Sequence, residues 1–134
     1  MANPVHIPLA MNALIDNVRQ WFHDKGIIEN SNPLKQLEKT IEEIIETRDA
    51  AVKLDWLTQY DSIDARFSKV ALQQELTHEL KDGIGDTLVT LIGVCEMYEF
   101  SLEECLQQAY DVISKRSGTM VNGKFVKENK SGGV

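Results

Sequence analysis

Four carboxylates recur in the middle of the chain at steps of four, three and four residues. They are Glu75, Glu79, Asp82 and Asp86. These steps place side chains along one face of an α-helix, and leucines and isoleucines between positions 72 and 91 keep a helical period beside them. The pattern therefore predicts a long helix over residues 69–98. Four like charges on one face repel each other, and a divalent cation would turn that repulsion into binding.

A second acidic cluster lies upstream of the first and also has helical spacing. It comprises Glu42, Glu43, Glu46 and Asp49. One helix can direct at least two of these carboxylates to the same point. Two such helices facing each other would form an all-oxygen site suited to Mg²⁺ or Mn²⁺. The alternative is that each cluster is a solvated, charged helix face without a ligand.

The chain has 134 residues and a formal net charge of −7, from 21 acidic and 14 basic residues. This length is sufficient for one domain with its own core. The negative charge argues against a nucleic-acid partner bound through bulk electrostatics, although a metal could carry the charge of a nucleotide substrate. No run of 18 apolar residues and no secretory signal pattern is visible. We therefore expect no membrane partner and a cytoplasmic location.

The cysteines and histidines do not form a recognisable metal or redox motif. Cys95 and Cys105 lack CxxC spacing, so we expect both to be reduced and buried in the core. The three histidines are scattered and form no HExxH sequence, which argues against a zinc hydrolase.

Apolar periodicity and capping residues predict four helices. They are expected over residues 9–25, 33–57, 69–98 and 102–117, with a loop over 26–32 and a loop or broken helix over 58–68. Ser31 or Asn32 would cap the second helix ahead of Pro33. Ser101 has capping-box spacing to Glu104 at the start of the last helix.

The end of the chain changes from a helical to a β pattern. Asn122-Gly123 lies between two β-prone triplets, which predicts a hairpin over residues 119–127. We expect residues 1–8 to form an extended arm and residues 128–134 a flexible tail. The predicted fold is all-α, a single domain over residues 1–134 in which about four helices share one core, followed by the small C-terminal β-hairpin.

The helical pattern also assigns residues to the core. The apolar residues carried by the second predicted helix are Leu37, Ile41, Ile44, Ile45, Ala51 and Leu54. The apolar residues of the fourth that are expected to face inward are Leu106, Ala109, Val112 and Ile113. Gly83, Gly85 and Gly93 lie inside the long helix, where each costs about 1 kcal/mol relative to alanine. We expect another helix or a ligand to pack closely against them.

Several segments together resemble one known family. Glu42-Glu43-x-x-Glu46, preceded by Gln36-Leu37-x-Lys39, resembles the first acidic motif of the MazG-like nucleoside triphosphate pyrophosphohydrolases, which belong to the all-α NTP pyrophosphatase group. Gly85-Asp86-x-Leu88-x-x-Leu91 resembles the end of their second motif. Arg116-x-Gly118-x-Met120-Val121-Asn122-Gly123-x-Phe125-Val126-Lys127 resembles the tail of phage-type members, so that the resemblance covers roughly residues 10–128.

The resemblance implies hydrolysis of a nucleoside triphosphate, with a dNTP favoured, to the monophosphate and pyrophosphate. Its metal, Mg²⁺ with Mn²⁺ as an alternative, would be held by Glu43 and Glu46 and by acids of the second helix. The family's second-helix glutamate falls on Gly83 if Asp86 closes the motif. The second-helix ligands are therefore either Asp82 and Asp86 or Glu79 and Asp82.

The resemblance also gives candidates for the general base and for substrate contacts. Candidates for the base are Glu42, Glu46 and Glu79. The candidate substrate-binding residues are Gln36, Lys39, Lys115, Arg116, Asn122, Lys124 and Lys127. The basic residues among the last five are equally accounted for by a helix C-terminus that favours cations and a solvated hairpin. Trp21 and Trp56 could stack on a base, although core or interface positions are the ordinary role of tryptophan.

The family forms dimers or tetramers, so a homodimer or homotetramer is expected. Two other functions stay open. The first is a non-enzymatic helical interaction module, in which the acids are only solvated. The second is a related pyrophosphohydrolase that acts on phosphoribosyl-ATP, against which the phage-type tail argues weakly.

Overall fold

The structure, a computed structural model, describes residues 10–59 and 66–128 and confirms an all-α fold with a C-terminal hairpin. Its elements are α1 (Met11–Asp24), α2 (Ile27–Asn30), α3 (Pro33–Gln59), α4 (Arg66–Met97), α5 (Leu102–Ile113), β1 (Gly118–Val121) and β2 (Lys124–Lys127). The chain divides into two compact units, Met1–Phe100 and Ser101–Val134. The predicted arm, the middle of the predicted loop 58–68 and all but the first residue of the predicted tail lie outside the described residues.

The helix starts predicted from capping residues are confirmed. At the start of α3, the backbone N–H of Lys35 donates to Asn32 Oδ1 at 2.9 Å, and Pro33 occupies the first helical position. At the start of α5, the N–H of Glu104 donates to Ser101 Oγ at 3.1 Å. Each cap satisfies a backbone donor that has no partner within its own helix.

Two predicted boundaries are wrong. The segment 26–32 is not a simple loop, because Ile27–Asn30 form a helical turn after Gly26, whose φ of 69° is left-handed. The Asn30 side chain donates to the Gly26 carbonyl at 2.7 Å and holds this turn closed. The helix predicted over 102–117 ends at Ile113, shortly before Gly118 begins β1.

The core of the first unit lies where α3 and α1 pack against α4. Its buried apolar residues are Ile15, Phe22, Ala50, Leu76, Ile92, Val94 and Cys95. Phe22 of α1 lies directly on Gly93 of α4, where any Cβ would overlap the phenyl ring. The expected close approach is thus confirmed at Gly93, and also at Gly83, which faces Thr47. It is wrong for Gly85, which has nothing within 4 Å of an added Cβ.

The face of α3 that packs on α4 is not its apolar face. The packed face carries Thr40, Glu43, Thr47 and Ala50. The exposed large apolar residues of α3, here named the outer stripe, are Leu34, Leu37, Ile41, Ile44, Ile45, Val52 and Trp56. At about 100° per residue, most of them lie on the side of the helix away from the packed face. Val52 and Trp56 also line a cavity with Leu72 and Leu76 of α4. Leu37, Ile41, Ile44 and Ile45 therefore do not belong to the core between α3 and α4, and Ala51 is also exposed.

The inward predictions for the fourth predicted helix are wrong. Leu106, Ala109, Val112 and Ile113 of α5 are exposed in the single chain. Cys105 on the same helix is exposed, whereas Cys95 is buried as predicted. An amphipathic pattern predicts a helix and an apolar face, but it does not say what covers that face.

The C-terminal hairpin forms as predicted. β1 and β2 are antiparallel, with Val121 opposite Lys124 and Gly118 opposite Lys127. Asn122 and Gly123 have φ values of 51° and 77°, and two positive φ angles are what a two-residue hairpin turn with the twist of its strands requires. 

Candidate functional site

A cavity of about 430 Å³ between α3 and α4 collects most of the predicted acidic residues. We name it the acidic cavity. It is lined by Glu43, Glu46, Asp49, Ala50, Lys53, Glu79, Asp82, Gly83 and Asp86. Six of the nine residues carry a carboxyl group, and they come from two different helices. The spacing of acids within each helix thus becomes a grouping in space once the two helices pack.

Gly83 brings the two acidic helices together. A Cβ at Gly83 would overlap the Thr47 side chain and would lie 3.2 Å from Thr47 Cα, so the α4 backbone touches α3 here. Farther along, the hydroxyls of Thr40 and Thr90 lie 2.8 Å apart. As the α3 residue number falls, its α4 partner's rises, so the two helices run antiparallel. Glu43 therefore lies between two points at which the helices are in direct contact.

Threonine hydroxyls satisfy the polar groups of this interface. Thr47 donates to the Glu43 carbonyl at 2.6 Å, and Thr87 donates to the Gly83 carbonyl at 2.7 Å. Thr90 donates to the Thr87 carbonyl at 2.7 Å and accepts from Thr40. No buried side-chain nitrogen or oxygen lacks a partner among the described residues. A polar interface stabilises one packing of the helices only when its groups are paired in this way.

Glu43 is the most buried carboxylate of the acidic cavity, with 11% of its side chain exposed. Burial raises the pKa of its carboxyl above the usual value, and the charges of Glu46 and Asp86 raise that pKa further. The Lys39 ammonium, 3.7 Å from Glu43 Oε1, acts in the opposite direction. Carboxylates of both helices thus destabilise the charged form of Glu43, which is a condition under which a bound cation is favoured.

The second-helix candidates all lie in the acidic cavity. Glu79, Asp82 and Asp86 line it, so both alternative ligand pairs remain open. Asp82 also lies 3.3 Å from the exposed His78 ring, measured from Oδ2 to Nε2. Glu75, which completes the stripe in the sequence, is not among the described residues that line the cavity.

Glu42 lies outside the acidic cavity. Its side chain is 63% exposed, and its Oε2 pairs with Lys39 Nζ at 3.2 Å. Adjacent residues of an α-helix point about 100° apart, and here the Glu42 side chain is exposed whereas that of Glu43 is buried. Of the three candidates for the general base, the structure brings Glu46 and Glu79 to the acidic cavity.

A second cavity, of about 450 Å³, adjoins the first and contains two of the candidate substrate contacts. We name it the tryptophan cavity. It is lined by Trp21, Phe22, Ile27, Lys35, Gln36, Lys39, Glu43, Asp86, Val89 and Thr90. Gln36 and Lys39 were predicted to bind substrate, and Glu43 and Asp86 also line the acidic cavity.

Asp49 belongs to the second acidic cluster predicted from the sequence, whereas two further cavity residues, Lys35 and Lys53, have no predicted role. Asp49 and Lys53 line the acidic cavity, and Lys35 lines the tryptophan cavity. Helical spacing could have found Lys53, because it follows Asp49 by four residues and Glu46 by seven. Lys35 lacks such a signal, because its place depends on how α1 packs.

The other five candidate substrate contacts belong to the second unit. Lys115 and Arg116 follow α5, Asn122 forms the hairpin turn, and Lys124 and Lys127 begin and end β2. Their contact with substrate stays a prediction.

The acidic cavity fits a hard divalent cation by its chemistry. No three His, Cys, Asp or Glu side chains in residues 10–59 and 66–128 converge closely enough to hold a metal ion by themselves. Mg²⁺, however, is commonly held by one or two carboxylates together with waters and substrate phosphates, so a complete protein cage is not required. Glu46, Glu79, Asp82 and Asp86 are exposed side chains that can turn toward an ion.

Comparisons with protein-family models, with curated proteins and with solved structures found no match to this chain. A search for membrane-spanning helices found none of sufficient length and apolar character in the described part of the chain. 

Proposed function

We propose that this chain hydrolyses a nucleoside triphosphate, with a dNTP favoured, to the monophosphate and pyrophosphate in the presence of Mg²⁺. The observation that supports the proposal is the grouping of carboxylates from α3 and α4 around one cavity, with the buried Glu43 among them. The resemblance of the acidic motifs and the tail to MazG-like enzymes gives the reaction. A cytoplasmic location, where nucleoside triphosphates are available, is part of the proposal.

The chemistry requires that the chain provide ligands for a metal ion and a general base for the attacking water. Glu43 and Glu46 from α3, with Asp82 and either Asp86 or Glu79 from α4, would hold Mg²⁺ or Mn²⁺. The bound ion would neutralise phosphate charge and lower the pKa of the attacking water. Glu46 or Glu79 would accept a proton from that water as it attacks the α-phosphorus. The α–β bond then breaks, and pyrophosphate leaves with the electron pair of that bond.

The test of this function is a product analysis. The purified chain is incubated with each of the eight common NTPs and dNTPs, and with phosphoribosyl-ATP, in the presence of Mg²⁺. We expect monophosphate and pyrophosphate from at least one nucleoside triphosphate, and loss of activity in EDTA that Mg²⁺ restores. Nucleoside diphosphate with orthophosphate would contradict the assignment. Turnover of phosphoribosyl-ATP alone would replace the substrate.

A matched pair of variants tests whether the measured activity comes from a contaminating hydrolase. Glu46→Gln changes a residue of the acidic cavity, whereas Glu38→Gln changes an exposed residue of the same helix outside its lining. Activity that both variants retain in full would not come from the acidic cavity. Absence of any turnover, together with no thermal shift on adding Mg²⁺ and nucleotide, would favour the non-enzymatic interaction module.

We also propose that the chain forms a homodimer or homotetramer through the outer stripe of α3. Seven large apolar side chains on one helix face, each 37–70% exposed, form a patch of the kind that marks protein interfaces. Ile41→Glu should reduce the mass in solution, measured by light scattering, by at least half, whereas Glu38→Gln should not. A wild-type chain that is monomeric at about 100 μM would contradict the proposal, because this concentration is well above the dissociation constant of a stable assembly.

A further inference from the structure

The tryptophan cavity has an arrangement of surfaces that the proposed hydrolysis leaves unexplained. At one side it is walled by Trp21, Ile27 and Val89, and at the other it ends on Glu43 and Asp86. Those two carboxylates also line the acidic cavity. A molecule lying in the tryptophan cavity would therefore lie beside two carboxylates of the proposed reaction centre.

Three polar side chains of α3 line the tryptophan cavity between its aromatic side and its carboxylates. Lys35 and Lys39 are one helical turn apart, and Gln36 lies beside them. Lys39 Nζ lies 3.2 Å from Glu42 and 3.7 Å from Glu43, so its charge is located at the boundary with the acidic cavity. The walls thus pass from an aromatic and aliphatic surface, through two cations, to carboxylates.

Trp21 offers an aromatic surface for a ligand. Its side chain lines the cavity, yet the residue is 44% exposed, whereas its neighbour Phe22 is 2% exposed and packs on Gly93. The two rings meet edge to face with centroids 5.2 Å apart, so Phe22 anchors α1 and supports Trp21. An exposed tryptophan at a cavity wall can stack on any nucleobase, since every base has a π-face.

We propose that the tryptophan cavity binds the nucleoside of the substrate, with the base against Trp21 and with Lys35 and Lys39 contacting the phosphates that lead into the acidic cavity. This inference rests on the proposed hydrolysis of a nucleoside triphosphate. The volume of about 450 Å³ is within the range of about 300–1,000 Å³ typical of small-molecule sites. The half-buried Gln36 side chain provides an amide group that can orient such a ligand.

A rival position lies at the other end of the acidic cavity. There, a cavity of about 350 Å³ is lined by Val52, Lys53, Trp56, Leu57, Leu72 and Leu76. It shares Lys53 with the acidic cavity, and its other lining residues are tryptophan and aliphatic side chains. A base bound there would find Lys53 as its one polar side chain among these lining residues, and a base has more hydrogen-bonding groups than this residue can pair. We therefore assign the nucleoside to Trp21, and Trp56 serves as the control.

The chain contains two tryptophans, so each can be observed alone by fluorescence. Trp56→Phe retains Trp21, and Trp21→Phe retains Trp56. The probe is an α,β-imido dNTP, which cannot be hydrolysed at the proposed bond, added with Mg²⁺. We expect saturable quenching of Trp21 emission, little change in Trp56 emission, and no quenching of Trp21 by inorganic triphosphate, which has no base.

Kinetics give a second readout. Trp21→Ala should raise the KM for the best dNTP about tenfold or more, with a much smaller effect on kcat, since stacking binds the substrate rather than the transition state. Trp21→Phe should restore much of the loss. A purely structural role of Trp21 would instead lower the melting temperature and leave KM unchanged in the folded fraction.

The outcomes separate this inference from the proposed function. Binding of the imido dNTP by calorimetry, with a response of Trp56 and none of Trp21, would overturn the placement of the nucleoside and leave the hydrolysis intact. Equal quenching of Trp21 by inorganic triphosphate would also overturn it, because the phosphates alone would then suffice. If calorimetry detects no nucleotide binding and no product forms, the proposed function is wrong, and the placement of the nucleoside is wrong with it.

Discussion

Replacement of Asp82 by asparagine should reduce turnover about 100-fold or more, with little change in the fold. Asp82 belongs to both alternative ligand pairs and lines the acidic cavity. Asparagine keeps the shape of the side chain but removes the charge, so the ion is held more weakly and the attacking water is misplaced. The measurement is kcat as a function of Mg²⁺ concentration, in which a lost ligand shifts the midpoint upward. Near-wild-type turnover and Mg²⁺ dependence would contradict the two-helix metal site.

The same assay selects between the two ligand pairs on α4. If Asp82 and Asp86 hold the ion, Asp86→Asn is severe and Glu79→Gln is mild. If Glu79 and Asp82 hold it, the order is reversed. Asp86 already acts on the pKa of Glu43, which favours the first pair. Glu75→Gln, one turn before Glu79 and outside the lining of the acidic cavity, is the matched control and should retain full activity.

Glu43→Gln distinguishes loss of activity from loss of folding, because it should lower turnover without lowering the melting temperature. Glu43→Gln should reduce turnover as strongly as Asp82→Asn. The folded-state pKa of Glu43 is raised, so its ionised form destabilises the metal-free fold. This destabilisation is absent below the unfolded-state pKa and increases as the pH rises through the raised pKa. In EDTA at neutral pH, Glu43→Gln should therefore melt at an equal or higher temperature than the wild type.

Substitution at Gly83 should have the second large effect. Gly83→Ala places a methyl group into the Thr47 side chain, and overpacking of this kind costs about 1–3 kcal/mol. Because α3 and α4 must separate to relieve the overlap, the carboxylates of the acidic cavity also move, and we expect lower kcat as well as lower stability. Gly83→Glu would place a glutamate where the MazG-like motif that the sequence resembles has one, but it should be inactive, since no side chain fits there.

The control for Gly83 lies two residues away. Gly85→Ala is on the same helix and has nothing within 4 Å of the added Cβ, so it should be neutral or stabilising by up to about 1 kcal/mol. Thr47→Ala removes the hydroxyl from the overlap and should restore part of the stability and turnover of Gly83→Ala. Equal tolerance of alanine at positions 83 and 85, measured by thermal unfolding and kcat, would show that the helix contact does not position the site.

The local elements of the fold could be predicted because their causes lie within a few residues. The caps at Asn32 and Ser101 and the turn at Asn122-Gly123 all formed as expected. The orientation of α3 could not be predicted from its apolar residues. Thr40, Thr47 and a buried glutamate pack on α4, while the outer stripe is exposed. Periodicity identifies an apolar face, but tertiary packing decides which partner it meets.

The candidate site followed a similar division. Helical spacing and the packing of two helices suffice to bring Glu43, Glu46, Asp82 and Asp86 to one cavity, whereas their role as metal ligands stays a prediction. The tryptophan cavity depends on α1 packing on α4 through Phe22 and Gly93, a contact far apart in sequence. No spacing rule relates Trp21 to Lys35, so their shared cavity could be found only in three dimensions.

The contact between Phe22 and Gly93 fixes the position of α1 along α4. Gly93 locates α1, and with it Trp21, on the same continuous helix that carries Asp86. Seven residues separate Gly93 from Asp86, a distance of about 10.5 Å along a rigid axis. The phosphoanhydride bonds of a triphosphate are chemically alike, so chemistry alone gives little reason to cut one rather than another. On the proposed function, α4 sets the distance between the base at Trp21 and the carboxylates near Asp86. That distance selects which phosphoanhydride bond breaks.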